Sequence, residues 1–193
     1  MKTSQHNVQP RKRSIVYLIW VLVGLTCLCW TPIVFGKDIN LVKGQSIPMV
    51  NLVGKDGEPV SLNTLKRQVT LVSIVPQLNT PVCDEQTHRF SEQNDGLDEF
   101  VQMVTISTNT HTDQRKFSHD ANIHNMTFLS DAPDFQFGRQ TGLLLKEIDI
   151  LHRAVIVLDE DLIIRYVEIV PMSQLPNFDN AFQAARRLLP RSS

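Results

Sequence analysis

Cysteine is scarce in this chain of 193 residues: there are three, and two of them, Cys27 and Cys29, lie inside one apolar run near the N-terminus. Cys83 is the sole thiol from Lys37 onward, which excludes a disulfide framework there. No C-x-x-C pair occurs, which disfavours a thioredoxin-like disulfide reductase. Glycine is sparse too, at 8 residues, and none forms a phosphate-cradling loop; Gly54 and Gly57 read as turn residues. The body has no excess of positive charge, since all 20 acidic residues fall from Lys37 onward against 15 of the 19 basic ones. A mildly acidic body has no basic footprint, so nucleic acid is not an expected partner. His111, His119 and His124 share a polar stretch but lack the spacing and company of a zinc site, and neither metal nor cofactor is expected.

What is present divides the chain. Residues 1–13 carry Lys2, Arg11, Lys12 and Arg13 and no acid, and residues 14–36 are almost wholly apolar. As a helix, about 22 residues at about 1.5 Å each would span the hydrocarbon core of a bilayer. The basic flank holds the N-terminus inside and sends residues 37–193 across the membrane. Two readings stand side by side. The segment is a transmembrane anchor, or a signal peptide cleaved after Gly36, with Val34 as the second small residue and Pro32 just upstream. The body is then held at the outer side of the cell membrane or released to the periplasm.

Residues 37–193 read as one domain, without internal repeats. Residues 55–59 form a polar turn between two short apolar stretches, the signature of a hairpin. Strands are expected over 69–75, 101–107, 127–129, 154–158 and 162–169, and helices over 83–100, 112–123, 134–141 and 177–189. Within 83–100 the residues Phe90, Leu97, Phe100 and Val101 share one helical face. Alternating strand and helix implies an α/β sheet with parallel members, and the turn Asp159-Glu160-Asp161 joins two antiparallel strands near the end. That order fits a thioredoxin-like fold.

The chemistry gathers just after the first long strand, in Pro76-Gln77-Leu78-Asn79-Thr80-Pro81-Val82-Cys83. Thr80 is a natural N-cap and Pro81 a natural first helical residue. Cys83 then falls at the third helical position, where a capping box places an acidic side chain against the cap's amide. A thiolate can occupy that anion position, given helix-terminal amides and a nearby cation. The strand end and loop are expected to leave the sulfur accessible. Asp84 and Glu85 oppose the effect, so a second positive group is needed. His88, one turn on, reads as solvated.

The string P-x-x-x-T-x-x-C from Pro76 to Cys83 resembles the active-site signature of peroxiredoxins, and most closely that of their thiol peroxidase branch. The resemblance extends over roughly Lys43 to Leu189. It includes His152-Arg153-Ala154-Val155-Ile156-Val157-Leu158-Asp159 and Leu175-Pro176-Asn177-Phe178-Asp179-Asn180-Ala181. It implies the peroxiredoxin type of thioredoxin-like fold. It also implies that Cys83 attacks a peroxide, that Thr80 orients it, that Pro76 shields the thiolate from water, and that Arg153 supplies the missing cation.

The sequence departs from that branch at two places. Where the thiol peroxidases carry a resolving cysteine it has Ser118, in Lys116-Phe117-Ser118-His119, and Pro133 stands where a second arginine is frequent. Without a resolving thiol the sulfenic acid on Cys83 must be reduced by an external thiol, from a small molecule or a thioredoxin-like protein, or by another subunit; a homodimer is one assembly this allows. The expected activity is a one-cysteine, thiol-dependent peroxidase acting on hydrogen peroxide or organic hydroperoxides. A non-catalytic module that senses peroxide or binds thiols through Cys83 is the other reading.

Overall fold

A computed structural model describes residues 39–190; residues 1–38 and 191–193 lie outside the described residues, and with them the expected anchor or signal over 14–36. Among the described residues no helix is long and apolar enough to cross a membrane.

The expected hairpin is β1 (Asn51–Val53) paired with β2 (Pro59–Ser61), and its turn needs a left-handed residue, supplied by Gly57 at φ +83°. The other strands are β3 (Thr70–Ile74), β4 (Gln102–Ser107), β5 (Thr127–Ser130), β6 (Leu144–Leu145), β7 (Ile150–Leu151), β8 (Ala154–Leu158) and β9 (Ile164–Ile169). β6 and β7 form a separate hairpin that no periodicity announces, because two-residue strands are too short to show one. The remaining seven make one sheet in the order β2-β1-β5-β4-β3-β8-β9. Its centre, β3, β4 and β5, is parallel, whereas β8 runs antiparallel to β3 and β9 antiparallel to β8. The expected α/β order with an antiparallel closing pair is what the chain adopts.

The helices are α1 (Pro81–Glu92), α2 (His111–Asp120), α3 (Gln136–Thr141) and α4 (Phe178–Arg186), each shorter than expected. The largest correction falls on the helix expected over 83–100. Asn94 donates to the carbonyls of Phe90 and Ser91 at 3.1 and 2.8 Å, closing the end of α1, and Asp95 and Gly96 then take positive φ. Phe100 is therefore not on the buried face but 66% exposed. α3 starts at Gln136 rather than 134 because Phe135 is left-handed.

Alternation along the strands divides the core. Val72, Ile74, Val104, Ile106 and Ile156 face a cluster that includes Phe137 of α3. Leu71, Val75, Met103, Val155 and Val157 face α1 and α4, where the Phe90 ring packs at 4.8 Å from Phe178 and 5.6 Å from Phe182. Cys83 belongs to this second cluster.

At the start of α3 the carboxylate of Asp131, 3% exposed, accepts from the amides of Phe137 and Gly138, both at 2.8 Å. Burial outweighs these bonds and pushes its pKa from the ordinary 3.8 up to about 6. Folding thus favours the protonated form. The stabilisation is complete below pH 3.8 and is lost as pH rises through about 6. Two pH units at about 1.36 kcal/mol each give a loss of about 3 kcal/mol. Asp131→Asn cannot ionise, so urea midpoints at pH 4 and pH 7 should show the variant gaining roughly that amount relative to the parent chain between the two.

Candidate active site

β3 ends at Ile74, whose partner in the antiparallel ladder is Ala154, the first residue of β8. The loop that leaves β3 for α1 is therefore brought beside the residue that precedes β8. This is how Cys83 and Arg153, 70 residues apart, come to touch: Arg153 Nη2 donates to Cys83 Sγ at 3.3 Å. The same nitrogen donates to the Met172 carbonyl at 3.0 Å, and Nη1 donates to Gln86 Oε1 at 2.6 Å. Gln86 passes the chain on, its Nε2 donating to Ser73 Oγ at 2.8 Å.

Every side chain in this chain of bonds is buried. Cys83 and Arg153 are each 1% exposed, and Gln86 and Ser73 are 0% exposed. The sulfur is thus covered, contrary to the accessibility expected of a strand-end loop. Its position on α1 turns it toward the sheet along with Gln86, Thr87 and Phe90. Burying a guanidinium without a counter-charge is costly. Gln86 Oε1 and the Met172 carbonyl are neutral acceptors, and among the described residues no carboxylate lies within ion-pair distance of Arg153. The only group touching it that can carry negative charge is the Cys83 sulfur. Arg153 Nε is buried without a partner, leaving one donor to spare.

The other two expected site residues are close in sequence but bonded elsewhere. Thr80 occupies the N-cap with extended backbone, φ −115° and ψ 146°, and Pro81 follows it as the first helical residue. Its side chain does not cap the helix, since the hydroxyl donates backward to the Gln77 carbonyl at 3.0 Å. The hydroxyl oxygen still has lone pairs with which to accept a hydrogen bond. Pro76 is buried and its carbonyl accepts from Thr108 Oγ1 at 3.3 Å. Leu78, between them, is pinned by its amide to Asn109 Oδ1 at 2.9 Å.

Gln86 and Met172 are not marked as site residues by the sequence. Gln86 stands one helical turn after Cys83, a spacing that makes it a neighbour on the same face. Met172 contributes only its carbonyl, for which residue type carries no signal. His88 lies on the outer face of α1, with Nδ1 at 2.7 Å from Glu92 Oε1 and Nε2 at 3.7 Å from Asp84 Oδ1. Ser118 is half-buried on α2 and donates to the Arg115 carbonyl at 3.0 Å. Among the described residues no group of three or more His, Cys, Asp and Glu could hold a metal ion.

The sequence model of the redoxin family matches residues 42–182. A thiol peroxidase of Staphylococcus haemolyticus is 36% identical over 157 residues, covering 79% of this chain and 92% of the relative. One from Listeria innocua is 36% identical over 145 residues, 75% of this chain and 87% of its own length. Among solved structures, a peroxiredoxin-like protein from Aquifex aeolicus superposes with a TM-score of 0.69 at 30% identity, covering 78% of this chain and 89% of that one.

Proposed function

The chain belongs to the redoxin family, as a thiol peroxidase with the thioredoxin-like peroxiredoxin fold, and from that premise we propose that it works by a one-cysteine mechanism with an external thiol as reductant. The observation that carries this reading is the buried Arg153 guanidinium bonded to the Cys83 sulfur with no carboxylate to balance it. The guanidinium thus lies against the one free thiol among the described residues. The thiolate attacks one peroxide oxygen, the O–O bond breaks, and an S–O bond forms to give a sulfenic acid. The departing oxygen leaves as water or an alcohol after taking a proton. Arg153, with Nε still unpartnered, offers donors to the charge growing on that oxygen. Thr80 orients the peroxide, and Pro76 keeps water from the sulfur.

The second half of the cycle starts from a site without a resolving thiol, since Ser118 cannot form a disulfide and Cys83 is the only free cysteine among the described residues. A donor thiol attacks the sulfenic sulfur, releasing water and leaving a mixed disulfide. A second thiol then frees Cys83 as the thiolate. The apolar run 14–36 behind its basic flank supports a location outside the cytoplasm, at the membrane where the run is retained as an anchor.

The test is peroxide loss followed with the full chain in mild detergent and excess dithiothreitol, with sulfenic acid trapped and located by mass spectrometry. Turnover with Cys83 labelled supports the reading; labelling without turnover favours a peroxide sensor. Ser118→Ala is expected to change neither oxidation nor turnover by more than about twofold, an effect within the ordinary range for a surface change. A large loss would put Ser118 in the reductive half-cycle.

A further inference from the structure

Beside the first turn of α1 a cleft of about 470 Å³ opens between α1 and α2, lined among others by Asp84, His88, Asp113, Lys116, Phe117 and Asp120. Resting on the one-cysteine reading above, we propose that this cleft binds the reductant, and that the reductant is a small zwitterionic thiol with an ammonium and a carboxylate rather than a protein.

Position is the first support. Asn79 and Asp84, which bracket the loop and first turn carrying Cys83, both line the cleft. Its other wall is α2, through Asp113, Lys116, Phe117 and Asp120, while Ser118 of the same helix lines a different cleft. A thiol held here supplies the sulfur that the chain lacks from beside the first turn of α1. Cys83 itself is 1% exposed, so its sulfur reaches the cleft only when the first turn of α1 opens. The Thr80 hydroxyl does not cap that turn, so no side-chain cap bond has to break for it to open.

Chemistry is the second. The lining carries both signs within one concavity, with carboxylates at Asp84, Asp113 and Asp120 and cationic or protonatable groups at Lys116 and His88. Phe117 contributes an apolar patch between them. An exposed ion pair such as Lys116 with Asp120 is worth only about 0–1 kcal/mol, so a ligand carrying both charges can displace it at little cost. The size falls within the roughly 300–1,000 Å³ of small-molecule sites.

The third argues against a protein docking here. The cores of protein interfaces are depleted in charge and rich in apolar side chains. Among the described residues the exposed large apolar side chains, Val42, Met49, Phe100, Ile148 and Ile169, all lie outside this lining.

In the step itself the bound thiol's sulfur bonds to the sulfenic sulfur of Cys83, the S–O bond breaks, and hydroxide leaves as water with the thiol's proton. A second molecule attacks the mixed disulfide, so two thiols are oxidised to one disulfide for each peroxide reduced to water or alcohol.

The experiment uses the full chain in detergent, oxidised with one equivalent of hydrogen peroxide. Rate constants for loss of the Cys83 sulfenate are measured with glutathione, neutral 2-mercaptoethanol and a thioredoxin, each corrected to equal thiolate concentration. Glutathione is expected to exceed 2-mercaptoethanol by about tenfold, the effect of one good charge-assisted contact. That ratio should fall toward one in the doubly substituted Lys116→Gln, Asp113→Asn chain, whose exposed positions leave folding intact. A ratio near one in the unaltered chain, a ratio indifferent to the two substitutions, or thioredoxin outpacing glutathione a hundredfold would each overturn the proposal. If no sulfenate forms at all, it is the one-cysteine reading beneath it that fails.

Discussion

Cys83→Ser is expected to abolish peroxide reduction, with the rate falling by about 10⁴-fold or more, because a serine hydroxyl is un-ionised at neutral pH and is a far weaker nucleophile than a thiolate. The replacement is nearly isosteric and keeps an acceptor for Arg153 Nη2, so the chain should still fold. Its stability is expected to move by about 1 kcal/mol, the scale of one buried hydrogen bond. Peroxide consumption and urea unfolding measured on the same preparation separate the two effects. Activity retained in a folded Cys83→Ser chain would move the nucleophile to Cys27 or Cys29, the other two cysteines.

Arg153→Ala carries the second large effect, and it strikes twice. Oxidation of Cys83 should slow by about 10²–10³-fold, the usual loss when one donor to a developing charge is removed. Stability should fall as well, since Gln86 Oε1 and the Met172 carbonyl lose a partner in a site that is almost fully buried. Each orphaned group costs about 1–3 kcal/mol. Because this variant can fail to fold, Arg153→Lys is the companion. It keeps the charge but cannot reproduce the fork that spans Gln86, Met172 and Cys83 from one planar group. Reaction with iodoacetamide, which has no O–O bond to break, should suffer less than reaction with peroxide in either variant. Equal losses would confine Arg153 to holding the thiolate and take away its part in stabilising the departing oxygen.

Much of this arrangement is legible in the amino-acid sequence. The buried strand β8 is a continuous apolar run and β3 a mainly apolar one interrupted by Ser73, and Thr80 and Pro81 alone put Cys83 at the third position of a helix. Two features are hidden for physical reasons. The end of α1 is fixed by the Asn94 side chain binding two carbonyls, a local competition that apolar periodicity does not register, so Phe100 falls by spacing on a face it never joins. The meeting of Cys83 with Arg153 depends on β8 running antiparallel to β3, a choice of direction that strand patterns alone do not encode. Burial of the sulfur is hidden for a related reason. A residue at a helix start is expected near solvent, but the first turn of α1 presses its inner face against the second core cluster.

A peroxidatic Cys83 with no resolving partner of its own is tested most directly by intact-mass and peptide analysis of the full chain after one equivalent of hydrogen peroxide, without added thiol. A single added oxygen on the peptide bearing Cys83, removed by a later addition of thiol, is the expected outcome. A disulfide linking Cys83 to Cys27, Cys29 or a second copy, or a chain that stays unoxidised while peroxide is consumed, would refute it.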